Sequence, residues 1–249
     1  LTEIADYVAV HINDTHPALC VPEFMRLLLD ENGLSWTQAW DITVKVMSYT
    51  NHTILSEALE KWPEEMVQML LPRIYQIIKE IDNRRTEELM PLVGAELVQK
   101  TSIVKDGQIH MASLAIIGSY STNGVAQLHS DILKDVELQD FYQLYPERFN
   151  NKTNGIADRR WLQIANEGLS NLIDEKIGKA WRHDLKELEA LKAFYEDEAT
   201  LKELLAVKLQ NKKALALLIK EKNGIEVNPD AIFDVQVKRL HAYKRQLLN

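Results

Sequence analysis

The run Tyr7-Val8-Ala9-Val10-His11-Ile12 limits the possible folds more than any other stretch of this chain. It is short and rich in β-branched residues, which favours a strand over a helix. Asn13-Asp14 follows at once, and His16-Pro17 keeps the chain extended a little further on. This predicts a buried strand that empties into a polar loop. Helical patterning comes next, over about 22–32 with Gly33 as its stop, and then over 36–50 with Ser35 as N-cap. From 63 to 90, Met66, Met69, Leu70, Ile74, Ile77, Ile78 and Ile81 recur at helical spacing, with Pro72 placed to kink or split the segment. Residues 104–109 (VKDGQI) predict a turn. Residues 111–134 predict a helix, a break at Gly118 and Asn123-Gly124, and a second helix over 125–134. From 157 to 222 the pattern is mostly helical, with Gly224 as a stop. Residues 231–240 (AIFDVQVKRL) alternate and predict a strand leading into helix-like AYKRQLLN. A few strands among many helices make a helix-rich α/β chain.

The 249 residues suffice for one large or two modest domains. Charge divides them unevenly. Residues 1–150 carry 11 Lys and Arg against 22 Asp and Glu, while residues 151–249 carry 18 against 15. The sign changes near a polar, turn-like stretch, which places a domain boundary near residue 152. A net charge of −8 argues against general nucleic-acid binding. No stretch approaches 18 consecutive apolar residues, so no membrane span is expected, and the first residues lack the basic and apolar regions of a signal peptide. A single cysteine, Cys20, excludes a disulfide scaffold and fits a reducing, cytoplasmic setting.

Four clusters carry candidate chemistry. Lys238-Arg239-Leu240-His241-Ala242-Tyr243-Lys244-Arg245 sits where a strand gives way to a helix. A helix N-terminus with several fixed cations suits one phosphate or two close together; a solvated basic helix face fits the same spacing. Asn13-Asp14-Thr15-His16-Pro17 could line a channel for a sugar or water, or could simply cap the helix after Pro17. Asn51-His52-Thr53 follows a helical pattern. There His52 either meets a sugar hydroxyl, as donor and acceptor at once, or complements the helix dipole. Asn150-Asn151-Lys152-Thr153-Asn154-Gly155 holds more asparagines than a turn needs, and amides pair well with carbohydrate hydroxyls. Metal-ligand spacing, GxSxG, P-loop and GxGxxG patterns are all absent from the sequence.

NDTHP, YTNHT, the NGVAQLHSDIL run, FNNKTNGI with its RRWL, and FDVQVKRLHAYKRQLLN occur in this order and at matching distances in the glycogen, maltodextrin and starch phosphorylases. The chain resembles that family over its whole length, as an internal fragment of it. The resemblance implies a two-domain Rossmann-like fold of the GT-B glycosyltransferase type. Residues 1–152 would be the end of the N-terminal domain, and residues 153–249 the beginning of the C-terminal, cofactor-binding domain. It implies phosphorolysis of an α-1,4-glucan by inorganic phosphate to α-glucose 1-phosphate, pyridoxal phosphate as cofactor, and a homodimer for the full-length protein. By motif, Lys238 and Lys244 match lysines on the cofactor phosphate and Arg239 an arginine on the substrate phosphate. Tyr243, His52 and Asn154 match residues on glucosyl hydroxyls, Asp14 and His16 match channel residues, and Asn123 and Val125 a loop that approaches the sugar.

Two departures accompany the resemblance. Ala242 stands where the family has Glu, and Ala157-Asp158 where Thr-Pro is common. The GTGNMK-type motif that bears the cofactor lysine is absent from these 249 residues, so the chain by itself is expected to be inactive. The alternative from another class is a non-catalytic helical module that binds carbohydrate or a partner.

Overall fold

In the computed structural model, residues 3–235 are described. They form two units that divide between Asn154 and Gly155.

The strands of the first unit are β1 (Val10–Asn13), β2 (Met47–Thr50), β3 (Lys61–Pro63), β4 (Val104–Lys105), β5 (Gln108–His110), β6 (Ser121–Gly124) and β7 (Phe149–Asn151). Its helices are α1 (Cys20–Arg26), α2 (Trp36–Val46), α3 (Glu64–Leu70), α4 (Pro72–Val93), α5 (Ala95–Lys100), α6 (Met111–Ile117), α7 (Gln127–Ile132) and α8 (Gln139–Leu144). Strands β1, β2, β6 and β7 form a parallel sheet in the order β1-β2-β6-β7. Parallel strands need long crossovers and are covered on both faces. That is why α6 is buried at every residue, and why Ile12, Met47 and Tyr49 are at most 1% exposed. The strand predicted to open the chain is present, as Val10–Asn13.

Two expectations need correction. The helical pattern over 36–50 ends at Val46, and Met47–Thr50 is the strand between β1 and β6. Met47 turns to ψ 138°, and no glycine or proline marks the change. Four residues are too few for the alternation of Met47-Ser48-Tyr49-Thr50 to stand out, and the helical spacing of Val44 and Met47 masks it; the ladders to both neighbours override local preference. Likewise, the predicted break between the helices of 111–134 contains β6. Its sequence, STNG, has one β-branched residue and a glycine, too little for a strand without neighbours to pair with.

Other expectations agree with the structure. Ser35 caps α2 in a reciprocal capping box with Gln38. Leu71-Pro72 splits the long helical segment into α3 and α4. Residues 104–109 form a hairpin whose central pair, Asp106 (φ 53°) and Gly107 (φ 68°), is left-handed as a tight two-residue turn requires.

The second unit is helical, as predicted, with α9 (Glu167–Ile177) and α10 (Glu198–Asn223). Asp174 on α9 accepts from Trp181 Nε1 (3.0 Å) and from Arg182 Nε (2.9 Å), which fixes the turn after the helix around the fully buried Trp181. Gly224 ends α10 at φ 71°. The strand expected over 231–240 is absent from Ala231–Val235; the rest of it lies outside the described residues. No helix among the described residues is long and apolar enough to cross a membrane.

His110, at the end of β5, supplies a pH test. Burial, with repulsion from Lys105 and Lys61 behind it, lowers its pKa to about 4. The unfolded chain takes up this proton near pH 6.5 and the folded chain only near 4. The contribution from neutral His110 is therefore complete above pH 6.5 and is lost as pH falls from 6.5 to 4. The urea midpoint of the wild type should fall as pH drops over that interval, and His110→Gln should flatten the decline. Parallel pH profiles for the two proteins would rule out this origin.

Candidate functional site

The parallel pairing aligns the carboxyl ends of four strands. Asn13 pairs with Thr50, Thr50 with Asn123, and Asn123 with Asn150, so a row of polar residues crosses the sheet edge. In open α/β sheets this edge is where ligands collect. The row is linked by its own hydrogen bonds. Thr50 Oγ1 donates to Asn123 Oδ1 at 2.8 Å, which leaves it to accept from His11 Nε2 at 2.5 Å. Asn123 Nδ2 donates to the Gly124 carbonyl at 2.8 Å, which sets the orientation of the amide. At the other end Ser130 Oγ donates to Asn151 Oδ1 at 2.8 Å.

His52 lies at the outer edge of this row, not at a helix end. Its Nε2 donates to Asn13 Oδ1 at 2.6 Å, which leaves Nδ1 as an acceptor. The alternative of a histidine paired with a helix dipole fails because β2, not a helix, precedes it. Asp14 sits in the left-handed region at φ 62°, a strained conformation for a residue with a Cβ, and its carboxylate accepts from the Thr15 N–H at 2.9 Å. The capping alternative fails here too, because α1 begins after Leu19 without a side-chain cap. His16 is exposed and lies 3.3 Å from Glu60, which also accepts from buried Thr15 at 2.7 Å.

Val125 and Asn154 are joined through the backbone, the Asn154 N–H donating to the Val125 carbonyl at 2.9 Å. The Val125 N–H in turn donates to His129 Nδ1 at 3.0 Å, so neutral His129 carries its proton on Nε2. That atom is buried without an aligned acceptor, although the Thr53 backbone lies close by, and burial holds the pKa of the ring below the usual histidine range. The structure thus brings Asp14, His16, His52, Asn123, Val125 and Asn154 to one edge of the first unit. Lys238, Arg239, Tyr243 and Lys244 lie outside the described residues.

Sequence reasoning missed His11, Thr50, Glu60 and His129. Thr50 and His11 gave no signal because their neighbours in the row are 73 and 39 residues away. Glu60 joins Thr15 across 45 residues. The QLHS segment after Asn123-Gly124 did hold a hint for His129, since a histidine in the first turn of a helix can reach back to the loop before it.

The side chains of the row are amides, hydroxyls and imidazoles, and the two carboxylates beside it, Asp14 and Glu60, are anions. Such groups suit a polyhydroxylated ligand. They do not fit the phosphate of the implied cofactor, which needs cations or converging N–H donors.

A strand-edge row of this kind, on a helix-covered parallel sheet, defines an α/β chain with a polar candidate binding edge. The sequence profile of the carbohydrate phosphorylase family matches residues 1–249, and the chain belongs to that family. It is 54% identical over 244 residues to the glycogen phosphorylase of Bacillus subtilis (strain 168), covering 97% of this chain and 31% of that protein. It is 48% identical to the glycogen phosphorylase of Pasteurella multocida (strain Pm70), over 100% of this chain and 31% of the relative. It is 46% identical to the muscle form of Homo sapiens, over 98% and 30%. The chain therefore spans about three tenths of the length of these relatives.

Gly124 is the tightest point of the site. A Cβ there would lie 2.4 Å from Ser130 Oγ, 2.9 Å from His129 Nδ1 and 3.0 Å from Ser130 Cα. Backbone has to move, so Gly124→Ala should cost about 1–3 kcal/mol. A Cβ at Gly155 meets nothing within 4 Å, and Gly155→Ala should stay within about 0.5 kcal/mol of wild type. Urea denaturation of both variants is the check; equal stabilities would mean that the close approach at Gly124 is not felt.

Proposed function

We propose that the protein containing this chain is an α-1,4-glucan phosphorylase that transfers a glucosyl unit to inorganic phosphate and releases α-glucose 1-phosphate. The observation that carries this reading is the row of neutral donors and acceptors from Asn13 to Asn151 along the parallel sheet edge, in a chain of the carbohydrate phosphorylase family. In this reading the described residues hold the sugar. His52, with Nε2 fixed by Asn13, offers Nδ1 to a glucosyl hydroxyl, and Asn154 meets the same part of the ring. Asn123 and Val125 hold the loop over the sugar, and Asp14 and His16 line a channel beside it.

The phosphates belong to the other cluster. Arg239 would take the substrate phosphate and Tyr243 a glucosyl hydroxyl. Lys238 and Lys244 would hold the phosphate of pyridoxal phosphate. A closed cleft strengthens each charge-assisted contact because water no longer competes. The whole protein would be a cytoplasmic homodimer with two Rossmann-like domains of the GT-B type, the boundary near residue 152 separating them. The exposed side chains of Ile156, Trp161 and Ile164 are compatible with further protein packing on the second unit.

Two measurements test this. In the full-length protein, His52→Ala should lower kcat/KM for maltoheptaose plus phosphate by roughly a hundredfold, the usual loss when one well-placed polar contact to the transition state is removed. A change within about threefold would remove His52 from the site. The 249-residue chain, supplied with pyridoxal phosphate, should form no glucose 1-phosphate above a protein-free control. Turnover by that chain would show that catalysis does not need a GTGNMK-type lysine.

A further inference from the structure

A cavity of about 360 Å³ in the first unit lies apart from the strand-edge row, between α2, α4 and the segment after α8. Its walls include the rings of Trp36, Trp40 and Tyr145. Three guanidiniums line it, those of Arg84, Arg85 and Arg148, against two carboxylates, Asp41 and Glu88. The lining therefore carries one net positive charge.

The three arginines are not equivalent. Arg84 donates to Glu80 at 2.6 Å and stacks 4.9 Å over Trp36. Arg148 caps the end of α6 through the carbonyls of Ile116, Ile117 and Ser119, and it stacks 4.1 Å over Tyr145. Asp41 is paired with Lys45 at 2.8 Å. Arg85 is only 6% exposed, yet among the described residues it has no carboxylate within ion-pair distance. It donates to the hydroxyls of Thr101 and Tyr145, and its Nη1 is buried with no partner at all. A buried cation that lacks an anion is costly, and so is a buried N–H that lacks an acceptor. A ligand carboxylate in the cavity that Arg85 lines would supply the missing anion.

We propose that this cavity binds a small aromatic monocarboxylate, with the carboxylate on Arg85 and the flat body between the aromatic walls. Arg84 and Arg148 already pair with Glu80 and Glu147, so Arg85 is the one lining guanidinium without a carboxylate, which favours a monoanion over a phosphate monoester. The volume is near the lower end of the range for small-molecule sites, which suits one or two fused rings. This site is independent of the strand-edge reading and does not require it.

The test is titration calorimetry on the 249-residue chain with sodium 2-naphthoate, with 2-naphthalenemethanol as the neutral analogue and inorganic phosphate as the bare anion. Saturable binding of naphthoate is expected, with the alcohol and phosphate each at least tenfold weaker. Arg85→Met should weaken naphthoate at least tenfold, as expected for loss of a hydrogen bond to a charged group. Because Arg85 also supports Thr101 and Tyr145, that variant can fail to fold. Val44→Trp then carries the decision. Val44 lines the same cavity and is not one of its charged groups, so the larger side chain should abolish binding without lowering Tm. Absent naphthoate binding, equal affinity for the alcohol or for phosphate, or undiminished binding by a folded Val44→Trp would each overturn the proposal.

Discussion

Strand β2 lies between β1 and β6, and the partners of both its ladders are far away in sequence. Extra bonds extend them past the strand ends. The Asp14 N–H donates to the Thr50 carbonyl, the Asn51 N–H to the Asn123 carbonyl, and the Tyr120 N–H to the Met47 carbonyl. These contacts fix the register of the sheet, and the register decides which residues share its carboxyl edge. A slip of one residue on β2 would turn Tyr49 from the core to the opposite face and carry Thr50 away from Asn123. The candidate site is in this sense a product of backbone pairing before it is a set of side chains.

The helices were legible in the sequence because their signals are local. Ser35 and Gln38, Pro72, Asp106-Gly107 and Gly224 each act within a few residues of themselves, and each does what its chemistry predicts. The strands β2 and β6 were not legible. Each is four residues long, and each is held by partners the sequence does not announce. The same distinction runs through the site. Asn13, Asp14, His16, His52, Asn123 and Asn154 stand in dense polar clusters and were found. His11, Thr50 and Glu60 join only through contacts across 39 to 73 residues, and no local pattern could reveal them.

Helix α4 shows how buried charge is managed in two ways. Asp82 accepts from the N–H groups of Ile103 (2.8 Å) and Val104 (3.2 Å), so its burial is compensated by backbone donors. Arg85, one turn further on, leaves one nitrogen without any acceptor. The first arrangement ties a loop to a helix and asks for nothing more. The second is incomplete as it stands, which is why the neighbouring cavity, and not the more numerous surface ion pairs, supplies the further ligand proposed for this unit.

The separation between Thr50 and Asn123 also bears on how the molecule comes together in time. Closing a loop of 73 residues costs more chain entropy than completing a helix turn, and no ladder bond to β6 forms until that loop is closed. The second unit needs no comparable closure, since α9 and α10 complete their turns locally. The longest closure in the parallel sheet is therefore the arrival of Ser121–Gly124 beside β2. The polar edge exists only after that event, so a chain in which Ser121–Gly124 has not yet paired with β2 has no assembled place for a ligand.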